Sequence, residues 1–273
     1  MSLNAEAQAN EKERTATGER LLGRDAASLF APDLSLVRGD PVQTAELLFA
    51  AGNRAREVLS TPSARAAFVS ALILGCKLTD ADLFPVFDGT KARVLYARAG
   101  AADRAYRLFS EILPDPRVGY ADSNVEAAEG VEAGDADLLL LPFSDAAGNR
   151  VLSTRTVVET HGLLLTALAR VRVGEGLLYG LYGRSVLPIA AGRATLRFSI
   201  PSPDAETLSG LYAFAAGNGL TPAGATLPPF GGRAYFALSG KKSDCLAAAV
   251  YSTAFCPGCE LKGLTPAQPL SER

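Results

Sequence analysis

Two cysteines three residues apart, Cys256 and Cys259 in "FCPGCEL", are the first feature of this 273-residue chain that could do chemistry. A C-x-x-C pair is the working unit of zinc sites and of dithiol redox centres. A structural zinc needs four ligands, and what remains is Cys76, Cys245 and a single histidine, His161, with no second C-x-x-C. A thioredoxin-like motif follows a strand and opens a helix. This one follows the helical pattern "DCLAAAVYSTAF" and enters the strand-like "CELKGL". The thiols are therefore read as small buried hydrophobes, and no metal or cofactor is expected.

The other candidates are sparse. His161 in "VVETHGLLL" is of the residue type that most often serves as a general acid or base, although a lone histidine at a helix end is commonly structural. Ser153, Thr154 and Arg155 in "LSTRT" could hold a carboxylate, since Arg binds one bidentately; the same residues also read as a helix start with a solvated arginine. Asp135 and Asp137 in "GDAD" read as a polar turn entering a strand. Neither a phosphate-cradling loop nor a nucleophile elbow is present.

The elements that must position these residues fall into regions. Residues 1–20 form a polar tail without the apolar core of a signal peptide, so a cytoplasmic location is expected. Residues 21–90 are helical: "PVQTAELLFAAGNRAREVLS" and "TPSARAAFVSALILGC" have apolar residues at helical spacing, and Thr61-Pro62 supplies an N-cap and first turn. From Lys91 the pattern turns to strand–helix–strand–helix–strand. Ser123 is placed as the N-cap of the second helix, with Glu126 completing a capping box, and "DLLLLPF" is a continuously apolar strand of a parallel sheet. Ligands bind at the carboxyl ends of such strands, which here is "PFSDAAGNR" (Pro142 to Arg150). From 193 onward, "ATLRFSI", "DAETLSGLYAFAAGN", "LTPAGATL", "RAYFALSG", "KKSDCLAAAVYSTAF" and "CELKGL" read as βαββαβ, with a turn at 228–232 between the middle strands.

Composition narrows the function classes. Hydrophobic residues at 48 % against 21 % charged leave ample material for cores and argue against disorder. Lys plus Arg number 27 against 29 Asp plus Glu, so no basic footprint for nucleic acid exists. Apolar runs such as Leu138–Phe143 are too short to cross a membrane.

The order of parts, with "KARVLYARAGAADRAYRLF", "VEAAEGVEAGDADLLLLPFSDAAGNRV", "LRFSIPSPDAETLSGLYAFAAGNGL" and "CPGCELKGLTP", resembles the prephenate dehydratase family with its C-terminal ACT regulatory domain, over about Lys91 to Pro266. The resemblance implies α/β plus α+β architecture: an N-terminal helical region, a periplasmic-binding-protein-like α/β lobe at 91–192 (incomplete), and a ferredoxin-like ACT domain at 193–273. It implies L-phenylalanine biosynthesis, in which prephenate loses water and carbon dioxide to give phenylpyruvate. Partners would be a small-molecule carboxylate or amino acid, and a second copy of the chain in a homodimer, with neither nucleic acid nor membrane.

Residue by residue, the family motifs carry over unevenly. The G-P-x-G-T-F-S loop corresponds to "RAGAADRA". P-I-E-N-S and its following glycine correspond to "PFSDAAG", which keeps Pro142 and Gly148 but has Ser144 for the glutamate and Asp145 for the asparagine. The substrate-binding positions implied are Ser144, Asp145, Asn149, Ser153, Thr154 and Arg155; the catalytic candidates are His161 and Thr195, the latter in "TLRF", which resembles the family's T-R-F. Regulatory ligand positions are Ala205, Glu206 and Thr207, aligned with G-A-L, and Ala225, Thr226 and Leu227, which with Pro228 align with E-S-R-P. Only about 40 residues separate the α/β lobe from the ACT domain, where the family has a second lobe. Two readings stay open: a dehydratase using an altered site, or a non-catalytic regulatory or amino-acid-binding relative.

Overall fold

The computed structural model describes residues 2–145, 149–172, 177–190, 192–227 and 232–272, with side chains from residue 11 onward. Gly148 and all but the last residue of the turn at 228–232 lie outside the described residues. The chain divides into two compact units, 1–83 with 198–261 and 84–197 with 262–273, so the division falls inside two strands.

The second unit carries the substrate-binding and catalytic positions read from the sequence, and the first carries the regulatory ones. Strands β1 (Arg93–Ala97), β2 (Arg117–Ala121) and β3 (Leu138–Ser144) run parallel in the order β2-β1-β3. Two further strands extend this sheet: β4 (Leu164–Val171) and β5 (Leu177–Gly183), both absent from the sequence reading. β5 lies antiparallel between β3 and β4, so Leu138 and Leu164 both pair with Gly183. Helix α5 (Gly100–Ser110) covers one face through Ala102, Ala105, Leu108 and Phe109. Helices α6 (Asn124–Glu132) and α7 (Leu152–Thr160) cover the other through Ala127, Ala128, Val131 and Val157. β3 is buried on both faces, which is why its sequence is apolar without alternation. Ser123 caps α6 as read, accepting from the Glu126 N–H at 3.1 Å, while the Glu126 carboxylate accepts from Asp122 N–H.

The first unit contains the βαββαβ order read from the sequence: β6 (Arg193–Pro201), α8 (Ala205–Gly217), β7 (Thr221–Thr226), β8 (Arg233–Lys241), α9 (Lys242–Phe255) and β9 (Glu260–Pro266), with β6 and β9 crossing the unit boundary. The strand order β9-β6-β8-β7 is that of a ferredoxin-like sheet. The N-terminal helices belong to the same compact unit. α2 (Pro41–Arg56) and α3 (Pro62–Cys76) pack on α9, with the Phe68 and Phe255 rings edge to face at 5.8 Å. Thr61 caps α3 as read, through the Ala64 N–H at 3.2 Å. The segment read as a polar tail is the first part of a helix, α1 (Ser2–Phe30); its Ala, Glu and Arg content favours helix without needing an apolar stripe.

Candidate functional site

The carboxyl end of β3 positions most of the residues picked out in the sequence. Ser144, the last residue of the strand, is buried and forms an isolated antiparallel bridge with Arg150. The loop between them is closed by Asp145 and Asn149. Asp145 N–H donates to the Asn149 carbonyl at 2.9 Å, and Asn149 donates to the Asp145 carboxylate from its backbone N–H at 2.8 Å and its side chain at 3.2 Å. Helix α7 begins immediately afterwards. Its Thr154 is buried and donates to the Pro142 carbonyl at 2.7 Å, tying the helix to the strand end. Ser153 is exposed, and Arg155 forms an i,i+4 ion pair with Glu159 at 2.7 Å, along the helix surface.

A cationic cluster that the sequence reading missed surrounds these residues. The Arg150 guanidinium lies 3.8 Å from the centre of the Phe143 ring, and that of Arg197, on β6, lies 5.5 Å from it. Arg197 is half-buried and donates to Thr265 Oγ1 at 2.9 Å. Burial first, and the nearby charge of Arg150 second, push its pKa down to about 10, opposed by the phenol of Tyr182. Tyr182 is itself buried, and burial raises its pKa to about 12, so it stays a protonated hydrogen-bonding group at neutral pH. Arg150 and Arg197 are far apart in sequence and no spacing rule links them; Arg150 alone carried a signal, as the residue closing the "PFSDAAGNR" edge.

The two catalytic candidates stand elsewhere. α7 carries the chain away from the Ser144 end to the start of β4, which lies at the Leu138 end of β3. His161, capping α7 there, is separated from Ser144 by roughly the 20 Å length of a seven-residue strand. Its Nδ1 lies 2.6 Å from Glu132 Oε2, a carboxylate at the end of α6. Thr195 is buried within β6. Neither stands in the Ser144–Arg150 loop.

The proposed regulatory positions are exposed or half-buried. Ala205, Glu206 and Thr207 form the first turn of α8, capped by Asp204, which accepts from Thr207 N–H at 2.8 Å. Glu206 pairs with Arg65 of α3 at 3.5 Å. Ala225, Thr226 and Leu227 lie at the exposed end of β7. Among the described residues, no cluster of His, Cys, Asp and Glu could hold a metal ion, and no helix is long and apolar enough to cross a membrane.

Comparison with known proteins gives a likeness of fold. A prephenate dehydratase from Streptococcus mutans superposes with a TM-score of 0.50 at 12 % identity, over 67 % of this chain and 100 % of that one. GqqA, described as a novel type of quorum quenching acylase, gives 0.49 at 18 % identity over 67 % and 97 %. The prephenate dehydratase of Arthrobacter aurescens in complex with L-Phe gives 0.49 at 14 % over 65 % and 92 %. No protein-family model matches the chain, and no curated protein matches it in sequence. The likeness to the Streptococcus mutans enzyme is one of fold.

Proposed function

We propose that the chain binds a small carboxylate at the carboxyl end of β3 and does not carry the dehydratase reaction of the enzymes whose fold it resembles. The observation that supports this reading is the pair of guanidinium groups, Arg150 and Arg197, on the ring of Phe143. A half-buried guanidinium beside a second cation is destabilised by both; a carboxylate bound between them offsets both terms and takes bidentate hydrogen bonds. Phe143 and the buried Tyr182 offer an aromatic wall beside that charge, which suits a carboxylate with an aromatic or cyclic body.

The dehydration step needs an acid positioned to assist departure of hydroxide. At this edge Ser144 replaces the family's glutamate, and Asp145 is engaged by both the backbone and side chain of Asn149. The βαββαβ module fits an ACT-like regulatory role, and β7, exposed along its whole length, is the edge at which we place the homodimer contact. A role as an amino-acid-responsive binding protein agrees with both parts.

The test is thermal denaturation with prephenate, phenylpyruvate and L-phenylalanine, with phenylpyruvate formation from prephenate followed in parallel. A ligand at 100 times its Kd adds about 2.7 kcal/mol of stability. Stabilisation by one of the three in the parent protein, lost in Arg197→Met and without turnover, is the expected result. No stabilisation by any of them would sink the binding site; turnover above a no-protein control would overturn the non-catalytic reading.

A further inference from the structure

The C-x-x-C motif, set aside in the sequence as structural, occupies a preorganised turn. Cys256 follows α9 in extended conformation (φ −109°, ψ 104°), and Cys259 N–H donates to its carbonyl at 3.1 Å. Between them, Pro257 has its ring-fixed φ and Gly258 has φ +65°, the pattern of a type II β-turn. Such a turn holds its first and last Cα atoms within about 7 Å, and a disulfide spans about 4.4–6.8 Å.

Neighbouring groups fix this turn from outside. Arg233 donates to the Gly258 carbonyl at 2.8 Å and pairs with Glu260 at 2.9 Å. A side chain at Gly258 would meet Pro201 Cγ at 2.8 Å, so the turn sits directly against that ring. The two thiols differ in access: Cys256 is 1 % exposed, whereas Cys259 is half-buried.

We propose that Cys256 and Cys259 are a dithiol site that closes to a reversible intramolecular disulfide, with Cys259 as the entry thiol. The co-reactant is a low-molecular-weight disulfide. The Cys259 thiolate attacks one of its sulfurs and expels one thiolate, leaving a mixed disulfide. Cys256 then attacks Cys259 Sγ and expels the second. The protein gives up two electrons and two protons, and the small disulfide leaves as two thiols.

Burial, then the neighbouring Cys259, push the Cys256 thiol well up, against the smaller opposing effects of Arg56 and Arg65. Cys256 is therefore not the entry thiol; it acts only within the turn, where proximity to Cys259 offsets its low thiolate fraction. The site is independent of the carboxylate site on β3, and its test does not touch that reading.

The experiment incubates the native protein with oxidised glutathione, then alkylates it after denaturation and reads intact mass and peptide maps. The expected product has lost two hydrogens at Cys256 and Cys259, which stay unalkylated, and carries two alkyl groups, at Cys76 and Cys245; it reverts with reduced glutathione. Cys256→Ser should stop at a glutathione adduct on Cys259, and Cys259→Ser should show neither bridge nor adduct in this turn. A wild-type protein that accumulates the adduct without closing, or bridges to Cys76 or Cys245, overturns the proposal. The wild-type map decides the matter even if either serine variant fails to fold.

Discussion

Replacing Gly52 with alanine tests whether the N-terminal helices are an integral layer of the first unit. In an ordinary helix this change stabilises by about 1 kcal/mol through propensity. Here a Cβ would lie 2.1 Å from the Ala254 carbonyl oxygen, 2.6 Å from its carbon and 2.9 Å from its Cα. All three are backbone atoms of α9, so no rotamer change relieves the clash, and ordinary contact requires α2 and α9 to part by about 1 Å. Overpacking of this kind costs about 1–3 kcal/mol and sometimes more. Because the wall is rigid and Leu48, Ala51 and Ala55 flank it in the core, we place the net loss near 2 kcal/mol, propensity gain included. That corresponds to a fall of about 4–8 °C in Tm for a unit of this size. Gly75→Ala is the control: it lies in α3 with nothing within 4 Å of its Cβ position, and should leave Tm unchanged or raise it. Thermal unfolding by circular dichroism reads both. Gly52→Ala melting at or above the parent would refute the α2–α9 contact and the packing argument with it.

Two further outcomes follow from single interactions. Thr154→Val keeps the branched shape but leaves the Pro142 carbonyl without its 2.7 Å donor, so urea unfolding should show a loss of about 1–2 kcal/mol; an unchanged midpoint would separate α7 from the strand end. The Thr207 N–H bond holds the Asp204 carboxyl below its ordinary pKa, so its contribution is complete above about pH 4, the unfolded value, and is lost as pH falls through the lower folded value. The gap in unfolding midpoint between the parent and Asp204→Ala should therefore be constant near neutrality and close in acid; a gap that persists unchanged at about pH 2 would refute the assignment.

The sequence was most informative where the physics is local. Thr61 and Ser123 cap helices because a short polar side chain can reach N–H groups three residues on, and both were found from position alone. The βαββαβ order was legible because Gly, Pro and Asn punctuate it at short intervals. Strands β4 and β5 were not, since "LLLTALARV" and "LLYGLYG" are apolar runs with no period that separates strand from helix. The Phe143–Arg150–Arg197 cluster depends on the Arg197 side chain of β6 reaching the Phe143 ring, a long-range fact that no spacing encodes. His161 was picked for its chemistry, and sequence alone could not show that α7 carries it to the opposite end of the sheet from Ser144.

The interrupted chain of the first unit also has a consequence for synthesis. Its helices end at Leu83, and the strands and helices that complete it begin at Phe198, after 114 residues belonging to the second unit. At about 5–20 residues per second, the ribosome needs roughly 6–23 s to bridge that gap. During this interval Leu48, Phe68, Val69 and Leu72, all destined for the core, have no α9 to cover them. The nascent helices are thus held in waiting, and the second unit has most of its sheet before the first can close.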